Sequence, residues 1–231
     1  MPYRNFIIIC EIRTGSTYLS RFLNGVDSIK MWTKSDDDDA SFEVFRSEEG
    51  ELSTIREFYS TKFDGSLGTK LPIRHSPRNR TFVCVEIKAR CIRPIYIYRE
   101  DKVAHLLSII HAEHTSLWHT NSDKGKTGEP IFIDIDDVAK TWIPQYKYYQ
   151  KELKKMRSIL KTSDSIEVTY EGITKGDDKK IIVESLGIDW KDSYDEIDNE
   201  KKILKGNPEM YFENYSLVKT VIEEELDGFY I

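Results

Sequence analysis

The sequence predicts a single α/β domain spanning residues 1–231, with a central, mostly parallel sheet and helices on both faces. Short runs rich in isoleucine, valine and tyrosine alternate with longer stretches of helical spacing. The intervals between the runs are long enough for the crossover connections that parallel strands require. No internal repeat or linker divides the chain, and 231 residues with 39% hydrophobic content can bury a sizeable core without staples.

The elements follow in order. Residues 4–10 carry the run Phe6-Ile7-Ile8-Ile9-Cys10, a buried first strand expected at the centre of the sheet. From Gly15 the apolar positions Tyr18, Leu19, Phe22 and Leu23 fall on one helical stripe, which stops near Asn24-Gly25. Residues 26–51 are polar and irregular, 52–63 helical, and 65–71 strand-like. Residues 82–92 fit either a strand or a helix. Pro94 to Tyr98 is a β-branched and aromatic strand ending at Arg99. Asp101 then caps a helix carrying Val103, Leu106, Leu107, Ile110 and Trp118. A long helical pattern at 137–160 is interrupted by Pro144, 165–170 is a strand, and helices are expected at 179–186 and 214–226.

Composition narrows the function classes. The net charge is -6, with four aspartates in succession at 36–39, so no global basic field exists to hold nucleic acid. The acidic run reads as a solvated loop. The three cysteines, Cys10, Cys84 and Cys91, show no Cys-x-x-Cys spacing, which points to a reducing compartment rather than a disulfide framework. The only apolar run near the N-terminus is too short for a signal sequence or a membrane span, so the expected location is the cytoplasm.

The chemistry concentrates at two strand ends. Arg13-Thr14-Gly15-Ser16-Thr17 is a small-residue turn between a buried strand and a helix. Such a turn aims unpaired N–H groups and the positive end of the helix dipole at an anion. Gly15 permits close approach, Ser16 and Thr17 add hydroxyls, and Arg13 adds a planar donor fork suited to phosphate. The loop lacks the first glycine and the Lys-Ser/Thr pair of an ATPase loop, and a capped turn is the competing structural reading. Arg99 sits at the end of another strand, where ligands of parallel sheets bind.

Two segments together carry a family resemblance. Ile12-Arg13-Thr14-Gly15-Ser16-Thr17-Tyr18-Leu19 resembles the 5'-phosphosulfate loop of sulfotransferases that use 3'-phosphoadenosine 5'-phosphosulfate (PAPS), especially bacterial trehalose and related carbohydrate sulfotransferases. Residues 96–103, with Ser108, His111-Ala112-Glu113 and Trp118-His119 beyond, are similar to their 3'-phosphate segment. Weaker similarities follow in chain order at Gly68-Thr69-Lys70-Leu71, Val168-Thr169-Tyr170-Glu171-Gly172-Ile173 and Glu213-Asn214-Tyr215.

The resemblance implies a P-loop-like fold and transfer of a sulfuryl group from PAPS to an acceptor hydroxyl of a carbohydrate or glycolipid, with PAP as product and no metal. Arg13 to Thr17 would hold the phosphosulfate, and Arg99 with Ser108 the 3'-phosphate. Arg13 would also stabilise the leaving oxygen, with Lys70 as a second charge unless it is an exposed strand-end lysine. The resemblance leaves pairing as a homodimer open.

The trehalose-type enzymes carry their general base as a glutamate shortly after the first helix, and residues 25–32 contain none. His75, five residues after Lys70, is the candidate base, because imidazole titrates near neutrality. Asp27 and Glu43 compete with it, and a surface histidine beside Ser76-Pro77 is the plainer reading. The histidines at 105, 111, 114 and 119 lack the companion glutamate or cysteines of a zinc site and read as helix packing, as do Trp142, Tyr146, Tyr148 and Tyr149. The rival readings are a kinase-like nucleotide enzyme, which would need a Lys-Ser pair and a magnesium-holding aspartate, and a non-catalytic PAP- or PAPS-binding relative.

Overall fold

The structure is a computed structural model and describes residues 5–32, 52–75, 80–116, 130–161, 164–197 and 208–229. The acidic run 36–39, Glu43, Ser76-Pro77, Trp118 and His119 lie outside the described residues. In chain order the elements are β1 (Asn5–Cys10), α1 (Ser16–Asn24), β2 (Ile29–Met31), α2 (Leu52–Ser60), β3 (Ser66–Pro72), a 3-10 turn (Ile73–His75), α3 (Arg80–Ala89), β4 (Arg93–Tyr98) and α4 (Lys102–Thr115). There follow α5 (Ile135–Asp137), a π-helical turn (Val138–Trp142), α6 (Ile143–Leu160), β5 (Ile166–Thr169), α7 (Tyr170–Lys175), α8 (Asp177–Ser185) and α9 (Tyr215–Leu226). The chain divides into two compact units, Met1–Glu100 with Glu152–Asn199, and Asp101–Lys151 with Glu200–Ile231.

The first unit holds one five-stranded sheet in the order β2-β3-β1-β4-β5, parallel at every pairing. β1 is central, as its unbroken isoleucine run predicts. Its side chains alternate between faces. Phe6, Ile8 and Cys10 join Ile95 and Ile97 of β4 in a cluster closed by Leu19, Phe22 and Leu23 of α1 and Ile182, Val183 and Leu186 of α8. Ile7 and Ile9 point the other way, level with Tyr96, whose hydroxyl lies near Cys84 of α3. Gly68 of β3 lies against the Phe6 ring, which a Cβ there would meet at 2.1 Å.

Several expectations need correction. Residues 29–31, read as irregular, form β2 and pair with Ser66 to Gly68. Three residues with an exposed lysine between two buried apolar side chains are too few to show a strand period. Residues 82–92 resolve as the helix α3 followed by a turn, with Val83, Cys84 and Ile87 buried at helical spacing. Tyr170 does not extend β5: the Thr169 hydroxyl accepts from the Gly172 N–H and starts α7 there. Pro144 does not break the long helix, because the wider π turn precedes it and hands the Ile143 N–H to the Val138 carbonyl.

In the second unit, α4 is capped by Asp101, whose carboxylate accepts from the Ala104 N–H at 2.8 Å. The Asn214 side chain donates to the Ile133 carbonyl at 2.7 Å and accepts its N–H at 3.2 Å, beside a bridge between Ile131 and Phe212. His105 meets the Tyr146 hydroxyl at 3.2 Å, and His111 packs edge-on against Tyr211 and Phe212. No described helix is long and apolar enough to cross a membrane.

Candidate anion-binding site

The chain leaves β1 at Cys10 and turns sharply before α1. Arg13 and Gly15 both adopt left-handed backbone, at φ 62° and 80°. For Gly15 a side chain is excluded twice, by that φ and by the Tyr170 ring, which a Cβ would meet at 2.5 Å. No side chain caps the first turn of α1, so its leading N–H groups face outward from the helix as donors for an anion.

The loop is braced from beneath. The Thr14 hydroxyl donates to the Glu11 carbonyl at 2.8 Å, and the Ile12 N–H donates to Glu11 Oε1 at 3.2 Å. Glu11 is fully buried and receives the Arg74 Nε–H at 2.5 Å, an ion pair that ties the loop to the 3-10 turn after β3. Burial pushes the Glu11 carboxyl above its usual range, more than Arg74, the Ile12 N–H and nearby His75 pull it down. Its Oε2 has no hydrogen-bond partner among the described residues.

Cations gather around this loop. Lys70 is 2% exposed, which overturns the strand-end surface reading, and its ammonium donates to Thr17 Oγ1 at 2.9 Å. Burial lowers the Arg13 pKa to about 10, and the charge of nearby Arg99 adds to the effect against a smaller opposing influence from Tyr170. The Arg99 guanidinium lies 4.5 Å from the centre of the Tyr170 ring. Its Nε is 3.8 Å from Glu171 Oε1, too far for a hydrogen bond, and is a buried donor with no partner among the described residues. Glu171 Oε2 is held by the Glu100 N–H at 3.1 Å.

Thus the structure brings together the loop 13–17, Lys70 and Arg99, and adds Tyr170 and Glu171 to them. His75 is half-buried at the end of its 3-10 turn, close enough to Glu11 for their charges to interact. Asp27 is exposed and paired with Lys191 at 2.5 Å, which holds its carboxyl below the usual range and makes it a poor base. Ser108 is buried on α4 in the second unit. Glu11 and Arg74 escaped the sequence reading; the only signal was a carboxylate directly following an apolar strand. Among the described residues no group of three or more histidine, cysteine or acidic side chains could hold a metal ion.

A buried arginine donor without an acceptor among the described residues, a second arginine beside it and an uncapped helix start suit a ligand with several anionic oxygens. No protein-family model matches the chain, and no curated protein matches it by sequence. Among solved structures, it is similar to sulfotransferase STF9 from Mycobacterium avium, with 13% identity over 100% of this chain and 78% of that one and a TM-score of 0.52. A sulfotransferase from Alicyclobacillus acidocaldarius aligns at 13% identity over 98% of this chain and 95% of that one, with a TM-score of 0.49. At such identity the likeness to the former is one of fold: the chain has the P-loop-like α/β architecture.

Proposed function

We propose that this chain is a sulfotransferase that takes a sulfuryl group from PAPS to an acceptor hydroxyl, with a carbohydrate or glycolipid as the acceptor class. The observation that carries the reading is the pairing of Arg13 and Arg99 beside the uncapped start of α1, with a buried Arg99 donor that no acceptor among the described residues satisfies. A donor with phosphate groups at its 5' and 3' positions supplies anions to both arginines. The shared fold with a sulfotransferase supports the same reading.

In the proposed reaction the acceptor oxygen forms a bond to sulfur as the bond from sulfur to the 5'-phosphate oxygen breaks in line. Negative charge grows on that leaving oxygen. Arg13 and the loop amides stabilise it, and the Lys70 ammonium, held to Thr17, stands as the second charge. The acceptor proton passes to a base, for which His75 is the candidate, with Glu11 nearby to stabilise the imidazolium. The assignment of Ser108 to the 3'-phosphate rests on the sequence resemblance.

The test is calorimetric titration with PAP, the desulfated product, on the wild type and Arg99→Ala, with ATP as control. Losing a charge-assisted phosphate contact should weaken PAP binding about a hundredfold. A folded wild type that binds no PAP, or one that prefers ATP, overturns the proposal.

A further inference from the structure

The Arg99 end of the site contains a carboxylate that the proposed transfer does not require. Glu171 opens α7 one residue after Tyr170, and the chain fixes it from its own backbone: the Glu100 N–H holds Oε2 at 3.1 Å. That tether leaves Oε1 at 3.8 Å from Arg99 Nε, near enough for strong attraction and too far for a hydrogen bond. Both side chains are largely shielded, at 19% and 27% exposed, so the attraction is only partly screened by water. The guanidinium is meanwhile kept in place by the Tyr170 ring at 4.5 Å. Arg99 therefore has a second restraint and does not depend on Glu171 alone for its position.

On the reading that PAPS is the donor, we infer that Glu171 is a tempering counter-ion, which offsets the Arg99 charge and so lowers the affinity of that end of the site for a 3'-phosphate. In the free protein the carboxylate offsets the repulsion between Arg99 and Arg13. Toward a ligand it acts as a competitor at the same guanidinium. A 3'-phosphate dianion outweighs one carboxylate and satisfies the orphaned Nε–H. A nucleotide with only a 3'-hydroxyl brings no charge and gains nothing from an arginine already offset by Glu171. The effect lies in how tightly the 3'-phosphate is held, and the sulfuryl-transfer centre around Arg13 and Lys70 is separate from it.

The change Glu171→Gln tests this with little disturbance, because the amide oxygen can still accept the Glu100 N–H while the charge is gone. Titrations would use PAP and adenosine 5'-phosphate, which lacks the 3'-phosphate, on wild type, Glu171→Gln, Arg99→Ala and the double variant, with thermal melting confirming that each is folded. The expected result is PAP affinity raised about tenfold in Glu171→Gln, adenosine 5'-phosphate affinity unchanged, and no gain when Arg99 is already alanine. PAP binding that weakens, stays the same, or rises equally for both nucleotides overturns the role of Glu171 while leaving the donor assignment standing. Wild type that binds no PAP overturns the donor assignment and this inference together. If the single variant does not fold, Glu171→Asp, which keeps the charge, must leave PAP affinity near that of the wild type in the same titrations, and a rise of about tenfold would refute the inference.

Discussion

Replacing Arg74 with methionine removes the cation from the buried pair beneath the loop while keeping much of the side-chain volume. Glu11 is 0% exposed and receives the Arg74 Nε–H at 2.5 Å. Breaking such a pair by removing one partner costs about 3–5 kcal/mol, because the other charge stays buried. For a chain of this size that corresponds to a fall in Tm on the order of 10 °C. The effect should depend on pH. Burial raises the folded-state pKa of Glu11 above 4.5, so folding favours its protonated form. That contribution is complete below about pH 4.5 and is lost as pH rises through the folded-state pKa. Removing Arg74 takes away the strongest influences opposing the rise and moves the pKa further up. The destabilisation therefore grows with pH and should be smaller at pH 5 than at pH 8, because a protonated Glu11 leaves no unpaired charge buried. Urea denaturation of wild type, Arg74→Met and Arg74→Met/Glu11→Gln at both pH values measures it, and the double variant should lose the added pH dependence. Equal losses at pH 5 and 8, or a double variant with the same slope as the single one, would refute the assignment of Glu11 as the titrating group.

Two further outcomes separate the loop from its surroundings. Gly15→Ala places a Cβ on left-handed backbone 2.5 Å from the Tyr170 ring, so stability should fall by about 1–2 kcal/mol for the backbone alone, and calorimetry should show PAP binding weakened at least tenfold (roughly the same energy). Lys70→Met removes a buried ammonium that donates to the Thr17 hydroxyl, and the sulfuryl-transfer rate should fall about a hundredfold. A Lys70→Met protein with full transfer activity would remove Lys70 from the reaction.

The legible parts of the molecule are those where local pattern and tertiary role agree. The isoleucine run of β1 predicts its central place because only a strand covered on both faces is apolar at every position. The turn 13–17 is recognisable because left-handed backbone and a helix start restrict residue choice over a few neighbouring positions. Strand β2 was not legible, since its pairing with β3 is made by backbone groups that carry no residue signature. Glu11 and Arg74 were hidden for a related reason. They are far apart in the chain and meet only because β1 and β3 are neighbours in register. Lys70 was left open between a site charge and a strand-end surface lysine, because its contact with Thr17 is made by α1, from another part of the sequence.

Several features that disfavour folding meet at one place. Arg13 carries a non-glycine left-handed backbone, its charge is buried beside Arg99, Lys70 is buried beside Thr17, and Glu11 Oε2 has no hydrogen-bond partner among the described residues. Each would be removed cheaply by substitution if stability alone mattered, since apolar side chains of similar volume fill such places at lower cost. Elsewhere in the first unit, charged side chains follow the opposite rule: Arg157 pairs with Glu167, and Arg56 and Arg90 pair with Glu86 at the surface. Left-handed backbone also occurs at Ser28 and Cys91, so what marks the loop between β1 and α1 is the meeting of such backbone with the buried Arg13 guanidinium beside Arg99. On the proposed reading that meeting suits a polyanion, because cations fully neutralised by the protein would have nothing left to offer the ligand.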